Sequence, residues 1–411
     1  MRVAYITMQF PVPSETFARN DVRRLTGRGV EIAVHTLLPG RRDALELLAQ
    51  SGLSSLPIYA NGPGPSLRGL GAALLRPRLL WRTLRWVWRD NRPSHALLTT
   101  AIIPRAFGIL ASLEEDRPDV VHIFWGHYPA VVGFLVRERL PGVPVSMALN
   151  AYDLTMRYGG SPEVARRASF LRTHARVNVA DVASFTGVPE ERVNVIYNGV
   201  DLEWLDGIAA GVEKVPGRLA VAGRLIESKG IDEVIRVFAR VREEHADASL
   251  VVMGEGPARR ELVRLAESLG VDHAVSFLGH VPHAWVVEEL ARAQVVLLLS
   301  RKDSERLPNA IKEGMACRSV CVATDTPGMD ELIDHGRSGY IVRAGETEKT
   351  AEMVSSVLAG RVDVSAMVEE ARRQIERNFD LRVTTESYLR AWGSLVGTVE
   401  GASEPVAAAG D

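Results

Sequence analysis

The stretch Glu305-Arg-Leu-Pro-Asn-Ala-Ile-Lys-Glu313 stands shortly after the apolar run Val295-Val-Leu-Leu-Leu-Ser300. A run of that length and β-branched content predicts a buried parallel strand. Ligands of open α/β sheets bind beyond the carboxyl ends of such strands. Pro308 suits the first turn of a following helix, where its missing N–H costs nothing. The backbone amides of Asn309 and Ala310 then open that turn and favour phosphate. Glu313 lies one turn beyond Asn309 on the same helix face, placed to hold a ribose, while Glu305 reaches toward a sugar from the loop. The layout reads as a clamp for a nucleotide sugar.

Outward from this segment, apolar runs alternate with helix-period segments along the chain, the pattern of parallel sheets flanked by helices. Strands are expected at VAYITM, EIAVHTL, VVHIFW, PVSMAL and VNVIYN in the first half, and at LAVAG, SLVVMG, VSFLG, VVLLLS and SVCVATD in the second. The stretch GIAAGVEKVPG after Asn198–Asp201 reads as a linker. Expected boundaries are residues 1–205 for the first lobe, joined by a returning helix at 376–396, and residues 206–375 for the second. Residues 400–411 are expected to form a disordered tail.

The chain has 411 residues, 46% hydrophobic and 24% charged, which predicts two or three soluble domains. No apolar run approaches the ~20 residues of a membrane span, and the N-terminal MRVAYITMQF reads as a strand, not a signal peptide. Cys317 and Cys321 are the only cysteines, so no disulfide framework is expected and metal binding has no further ligands nearby. Residues 1–200 hold 24 Arg against 16 acids, and the remainder 25 basic residues against 35 acids. The positive half suits an anionic membrane or a phosphate-bearing acceptor, or simply a scatter of arginines. Residues 76–92, RPRLLWRTLRWVWRDNR, carry six arginines and three tryptophans. Arg78, Arg82, Arg85, Arg89 and Arg92 form a basic stripe, and Leu80, Leu84 and Val87 an apolar one flanked by Trp81 and Trp88. That is an interfacial helix or an ordinary surface helix.

Four segments resemble retaining glycosyltransferases of family 4. They are the E-x7-E pair Glu305/Glu313, the donor-phosphate segment AGRLIESKG (Ala222–Gly230), and the runs VVMGEGP and FLGHVP, in family order. The N-terminal PVPSETFARNDVRRLTGRGVEIAVHTL is similar to a capsule and exopolysaccharide subgroup, and the likeness runs from the first strand to about Trp392. The resemblance implies an α/β GT-B fold: two Rossmann-like lobes with parallel sheets and an interlobe cleft. It implies a hexose-type transfer, with retention, from a nucleoside-diphosphate sugar to a saccharide, lipid-linked or natural-product acceptor.

In that scheme Arg224, Lys229 and Glu305 are the catalytic candidates. Fixed cations stabilise the charge left on the departing phosphate, and no D-x-D sequence anchors a metal, so no cofactor and no metal are expected. Gly223, Gly254, Gly279, Val281, Leu307, Pro308, Asn309, Ala310 and Glu313 complete the nucleotide-sugar site; His280 reads as structural. On the acceptor side stand Ser14, Glu15 and Thr16, which open the first helix with Ser14 as its N-cap, together with His127, Asn150 and Asp153. The family's H-A-x-D is here Asn150-Ala-Tyr-Asp153, and Arg306 stands where a glycine is usual. Asn150 carries no proton at neutral pH, and His127 is the candidate to replace the missing histidine. The alternatives are a nucleotide-sugar epimerase or hydrolase on the same fold, or a non-catalytic scaffold. The expected partners are the sugar donor, the acceptor and an anionic membrane surface through residues 76–92, without nucleic acid. The expected place is the cytoplasm, peripheral on the inner face of the membrane.

Overall fold

The computed structural model describes residues 1–13, 15–301 and 305–401. Contacts divide the chain into two units, Met1–Gly199 with the residues from Leu381 on, and Val200–Asp380. The expected boundaries at 205 and 376 lie within six residues of these. Val200 donates its amide to the Phe379 carbonyl at 2.8 Å, so the outgoing and returning chain run side by side.

Unit 1 holds seven parallel strands: β1 (Arg2–Thr7), β2 (Glu31–Pro39), β3 (Ile58–Asn61), β4 (Val120–Ile123), β5 (Val145–Ala148), β6 (Phe170–Thr173) and β7 (Val193–Val195). Their order is β3-β2-β1-β4-β5-β6-β7. Both faces of this sheet are covered. Ala4 and Ile6 of β1 enter one core with Val121, Ile123 and Met147, whereas Val3 and Tyr5 enter a second with Val120 and Phe124. That two-sided burial is why these strands read as continuous apolar runs instead of alternating ones. The C-terminal helix Leu381–Gly401 belongs to the second core through Tyr388 and Trp392. The Trp392 indole donates to Ser146 Oγ at 3.1 Å. The expected tail from residue 400 lies almost wholly outside the described residues.

Unit 2 holds six parallel strands: β8 (Arg218–Ala222), β9 (Ser249–Met253), β10 (Val275–Gly279), β11 (Val295–Leu298), β12 (Val320–Thr324) and β13 (Tyr340–Val342), in the order β10-β9-β8-β11-β12-β13. Each sheet reverses direction once, between β1 and β4 and between β8 and β11. A doubly wound sheet leaves its crevice at that point.

Three features depart from the sequence reading. First, the stretch 207–217 is packed into unit 2, beginning inside the helix Leu202–Ala209. Lys214 Nζ there donates to the carbonyls of Ala293 and Cys317 and to Ser319 Oγ, and burial lowers its pKa to about 8. Second, the helix Pro93–Asp116 is long and apolar enough to cross a membrane by length and composition. Ile103, Phe107, Leu110 and Leu113 are buried in the unit 1 core. Third, the buried face of the helix Pro77–Asp90 is Leu79, Thr83, Trp86 and Val87, with Trp86 stacked on Phe134 at 4.6 Å. Leu80 and Leu84 sit only at its margin.

Candidate functional site

The loops leaving β8, β9, β10 and β11 converge around the switch point of the unit 2 sheet. Gly223 donates to the Met253 carbonyl at 2.9 Å, Leu225 to Glu255 at 2.9 Å and Gly254 to Gly279 at 2.8 Å. Gly254 adopts φ +140°, and a Cβ there would stand 1.8 Å from the Gly223 carbonyl oxygen. Only glycine lets these backbones approach so closely. Ser228 accepts two bonds, from the Arg301 amide and from Ser300 Oγ, both at 2.9 Å, which ties the loop after β8 to the end of β11.

Lys229 and Glu305 meet in this loop system, with Nζ 2.5 Å from Oε2 and both side chains mostly buried. Arg224, five residues before Lys229, is exposed and has no side-chain partner among the described residues. The helix Asn309–Ala316 begins with Pro308 at its N-cap, just ahead of the first turn where it was expected. The amides of Ile311 and Lys312 close back onto the Pro308 carbonyl at 3.2 Å. Leu307, 3% exposed, is held at φ +50°, a conformation that costs a branched residue energy and marks an over-determined loop. Lys312 is buried and donates to Asn309 Oδ1 at 3.2 Å, with its ammonium 5.4 Å from the Phe379 ring.

Glu313 is 6% exposed and shares a 2.9 Å hydrogen bond with His283 Nε2. The His283 ring packs on Trp204 at 4.8 Å. Both groups escaped the sequence reading, since a histidine opening the helix His283–Arg292 carries no pattern of its own. Gly279 and Val281 lie on the path from β10 into that helix, and His280 is exposed. The thiols of Cys317 and Cys321 are free and buried, and burial pushes that of Cys317 up to about 12.

At the switch point of the unit 1 sheet the chemistry differs. Glu15 directly precedes the helix Thr16–Gly27 but does not cap it with its side chain. Ser14, the expected N-cap, lies outside the described residues. Burial pushes the Glu15 carboxyl up to about 7, raised further by Asp153 and opposed by a hydrogen bond from Trp125 and by His127. His127 Nδ1 lies 2.8 Å from Asp153 Oδ1, and Asp153 Oδ2 accepts the Asn150 amide at 2.8 Å. Asn150 Oδ1 lies 2.9 Å from His174 Nδ1, and its buried Nδ2 has no acceptor among the described residues. Glu15, His127, Asn150 and Asp153 are thus brought together from the ends of β1, β4 and β5. Their common link is Asp153, which serves both the histidine and the asparagine.

Residues 211–377 match the family described as Glycosyl transferases group 1. An uncharacterized glycosyltransferase of Methanocaldococcus jannaschii is 30% identical over 403 residues, which cover 92% of this chain and 94% of that one. The chain belongs to the group 1 glycosyltransferases. The amylovoran biosynthesis glycosyltransferase AmsK of Erwinia amylovora is 25% identical over 402 residues, 93% of this chain and 97% of its own. In fold, this glycosyltransferase is similar to Anabaena HepE, solved in complex with UDP. The TM-score is 0.71 at 17% identity, with 96% of this chain and 100% of that chain covered. The GT-B architecture is therefore that of its structural neighbours. Besides His283 and Trp204, the glycosyltransferase brings Trp125, Tyr152 and His174 to its sites, none of which the motifs singled out.

Proposed function

We propose that the chain transfers a hexose-type sugar, with retention, from a nucleoside-diphosphate sugar to a saccharide or lipid-linked saccharide in surface-polysaccharide synthesis. The observation that carries this reading is the Lys229–Glu305 pair at the β8/β11 switch point, with Arg224 in the same loop. Cleaving the glycosidic bond leaves negative charge on the departing diphosphate. A guanidinium offers that diphosphate a planar fork and an ammonium a point charge, so the transfer needs no metal. Glu305 takes the donor-sugar hydroxyls and Glu313, oriented by His283, the ribose. The amide of Ala310, together with Gly223 and Gly254, lies along the phosphates; Gly279 and Val281 line the base; Leu307, Pro308 and Asn309 shape the turn between.

Retention follows from attack on the face that the phosphate leaves, with a phosphate oxygen taking the proton of the acceptor hydroxyl. The acceptor is bound by Glu15, Thr16, His127, Asn150 and Asp153 of unit 1. That HepE was solved with UDP-glucose supports a uridine donor. On this reading the chain works in the cytoplasm against an anionic membrane. Trp81 and Trp88 are 60% and 49% exposed, and Leu67, Leu74 and Leu97 of the neighbouring helices, with Leu75 just after one of them, are likewise exposed. Indoles and arginines together suit a headgroup layer.

The test is thermal shift with UDP, GDP, ADP and dTDP on the parent protein and on Glu313→Ala, followed by the anomeric coupling constant of the transfer product. Stabilisation by one nucleotide that the variant loses, and a product with the donor's configuration in the presence of EDTA, are expected. Absence of any nucleotide shift, or an inverted product, removes the reading.

A further inference from the structure

Two aromatic rings at the carboxyl end of the unit 1 sheet have no part in the chemistry above. Trp125 follows β4, and Tyr152 lies in the helix Ala151–Met156 that follows β5. Their centroids are 6.0 Å apart and their planes meet at 78°, so the rings form a corner. Phe17 and Phe124 pack against Trp125 at 6.4 and 5.4 Å, and His127 packs against both rings of the corner at 5.8 and 5.6 Å. The corner is therefore held from several sides. Yet Tyr152 is 56% exposed, where Tyr5, Tyr128 and Phe124 of the same sheet end are buried. A large ring fixed in place but left to solvent is a surface prepared for contact.

The polar groups beside the corner decide what fits. Glu15 stands two residues before Phe17, which packs on Trp125, and the groups that act on its carboxyl are Trp125, His127, Asp153 and the buried Tyr5 hydroxyl. Both oxygens of Asp153 are already engaged. An alkyl chain in the corner would cover Glu15 without giving it a hydrogen bond, which is costly. A dicarboxylic acid would bring its charge against Glu15 and Asp153. A neutral sugar ring has an apolar C–H face for the rings and a rim of hydroxyls for the carboxyl.

We propose that the acceptor is a neutral saccharide whose ring packs in the Trp125–Tyr152 corner and bonds through a hydroxyl to Glu15. This inference rests on the assignment of acceptor binding to unit 1. The experiment is saturation-transfer difference NMR on the full chain with UDP present. The probes are the methyl glycosides of glucose, galactose, mannose, N-acetylglucosamine and rhamnose, with L-malate as competitor. At least one glycoside should show saturation concentrated on its ring C–H protons. Tyr152→Ala should weaken its binding by about tenfold, Tyr152→Phe should retain it, and malate should not displace it. In Glu15→Gln the dependence of the signal on pH around neutrality should disappear.

Circular dichroism and UDP thermal shift show whether each variant is folded. A panel in which no glycoside is saturated, or binding indifferent to Tyr152→Ala in a folded variant, overturns the proposal. The failure of the underlying assignment looks different. If Glu15→Gln weakens the glycoside and Tyr152→Ala does not, unit 1 still binds the acceptor and only the stacking is lost. If neither does, and the acceptor KM in a transfer assay is also unmoved, the assignment to unit 1 itself falls.

Discussion

The carboxyl ends of the two sheets share a winding order and differ in almost every side chain that occupies them. Around the β8/β11 switch the loops carry Arg224, Lys229 and Glu305, the helix after β11 carries Glu313, and glycine holds the backbones together. Around the β1/β4 switch stand Trp125, Tyr152 and His127, with Glu15 half-buried among them. The winding supplies a crevice in both cases. What the crevice recognises is set by whether its loops deliver fixed charge or ring faces. Phosphate needs the first, and a neutral sugar the second.

That contrast breaks most sharply at Lys229. Lys229→Ala should lower kcat by about 10²–10³-fold, with a much smaller change in acceptor KM. A steady-state assay varying each substrate in turn checks it, and an effect confined to acceptor KM would erase the division of labour between the two sheets.

Glu15 gives the next largest effect, and it is one of stability. Its carboxyl binds a proton more tightly in the fold (pKa about 7) than at its ordinary value of 4.5. Between those values the native state holds more protons than the unfolded state, so stability falls as pH rises through the window. Glu15→Gln should remove that loss and be more stable than the parent by about 3 kcal/mol at pH 8, with no such gain at pH 4. Urea midpoints at the two pH values measure it. A gain that is the same at both would mean the carboxyl is not held neutral by burial.

Glu313→Gln keeps the shape of the proposed ribose clamp and its contact with His283 but removes the charge. Loss of a charge-assisted hydrogen bond is worth about 2 kcal/mol, so nucleotide affinity by calorimetry should fall more than tenfold. His283→Phe keeps a ring on Trp204 and should give a smaller loss in the same titration.

The smallest effect belongs to the surface of unit 1. Removing Arg78 and Arg85 should weaken sedimentation with phosphatidylglycerol vesicles by about 1 kcal/mol per arginine. Neutral vesicles should show no difference between variant and parent. Equal binding to both vesicle types by the parent would return the helix Pro77–Asp90 to an ordinary solvated face.

Ten strands were legible as apolar runs, most of them because a strand buried on both faces needs no alternation to be seen; β7 and β10 are only partly buried. β6 was not legible, because Arg172 interrupts it; the residue is fully buried, with its guanidinium on the Ile196 carbonyl and Asn198 Oδ1. β3 and β13 were not legible either, because no apolar run extends past them: Pro57 interrupts the run before β3, and Gly339 and Arg343 close off β13. The residues proposed for the donor site stood out because they cluster in two short segments with a glycine-rich frame. His283 did not, since its partner Glu313 is thirty residues away.

By itself, then, the sequence determined the two parallel sheets, the loop of cations and the paired glutamates. Each depends on residues close in the chain, where local period and spacing act directly. The pairing of Lys229 with Glu305 across 76 positions was decided only by tertiary structure. So were the turning of Trp86 rather than Trp81 or Trp88 into the core, the raised carboxyl of Glu15 and the Trp125–Tyr152 corner. Those features arise where strand ends distant in sequence meet, and burial and contact there are properties of the packing, not of any one segment.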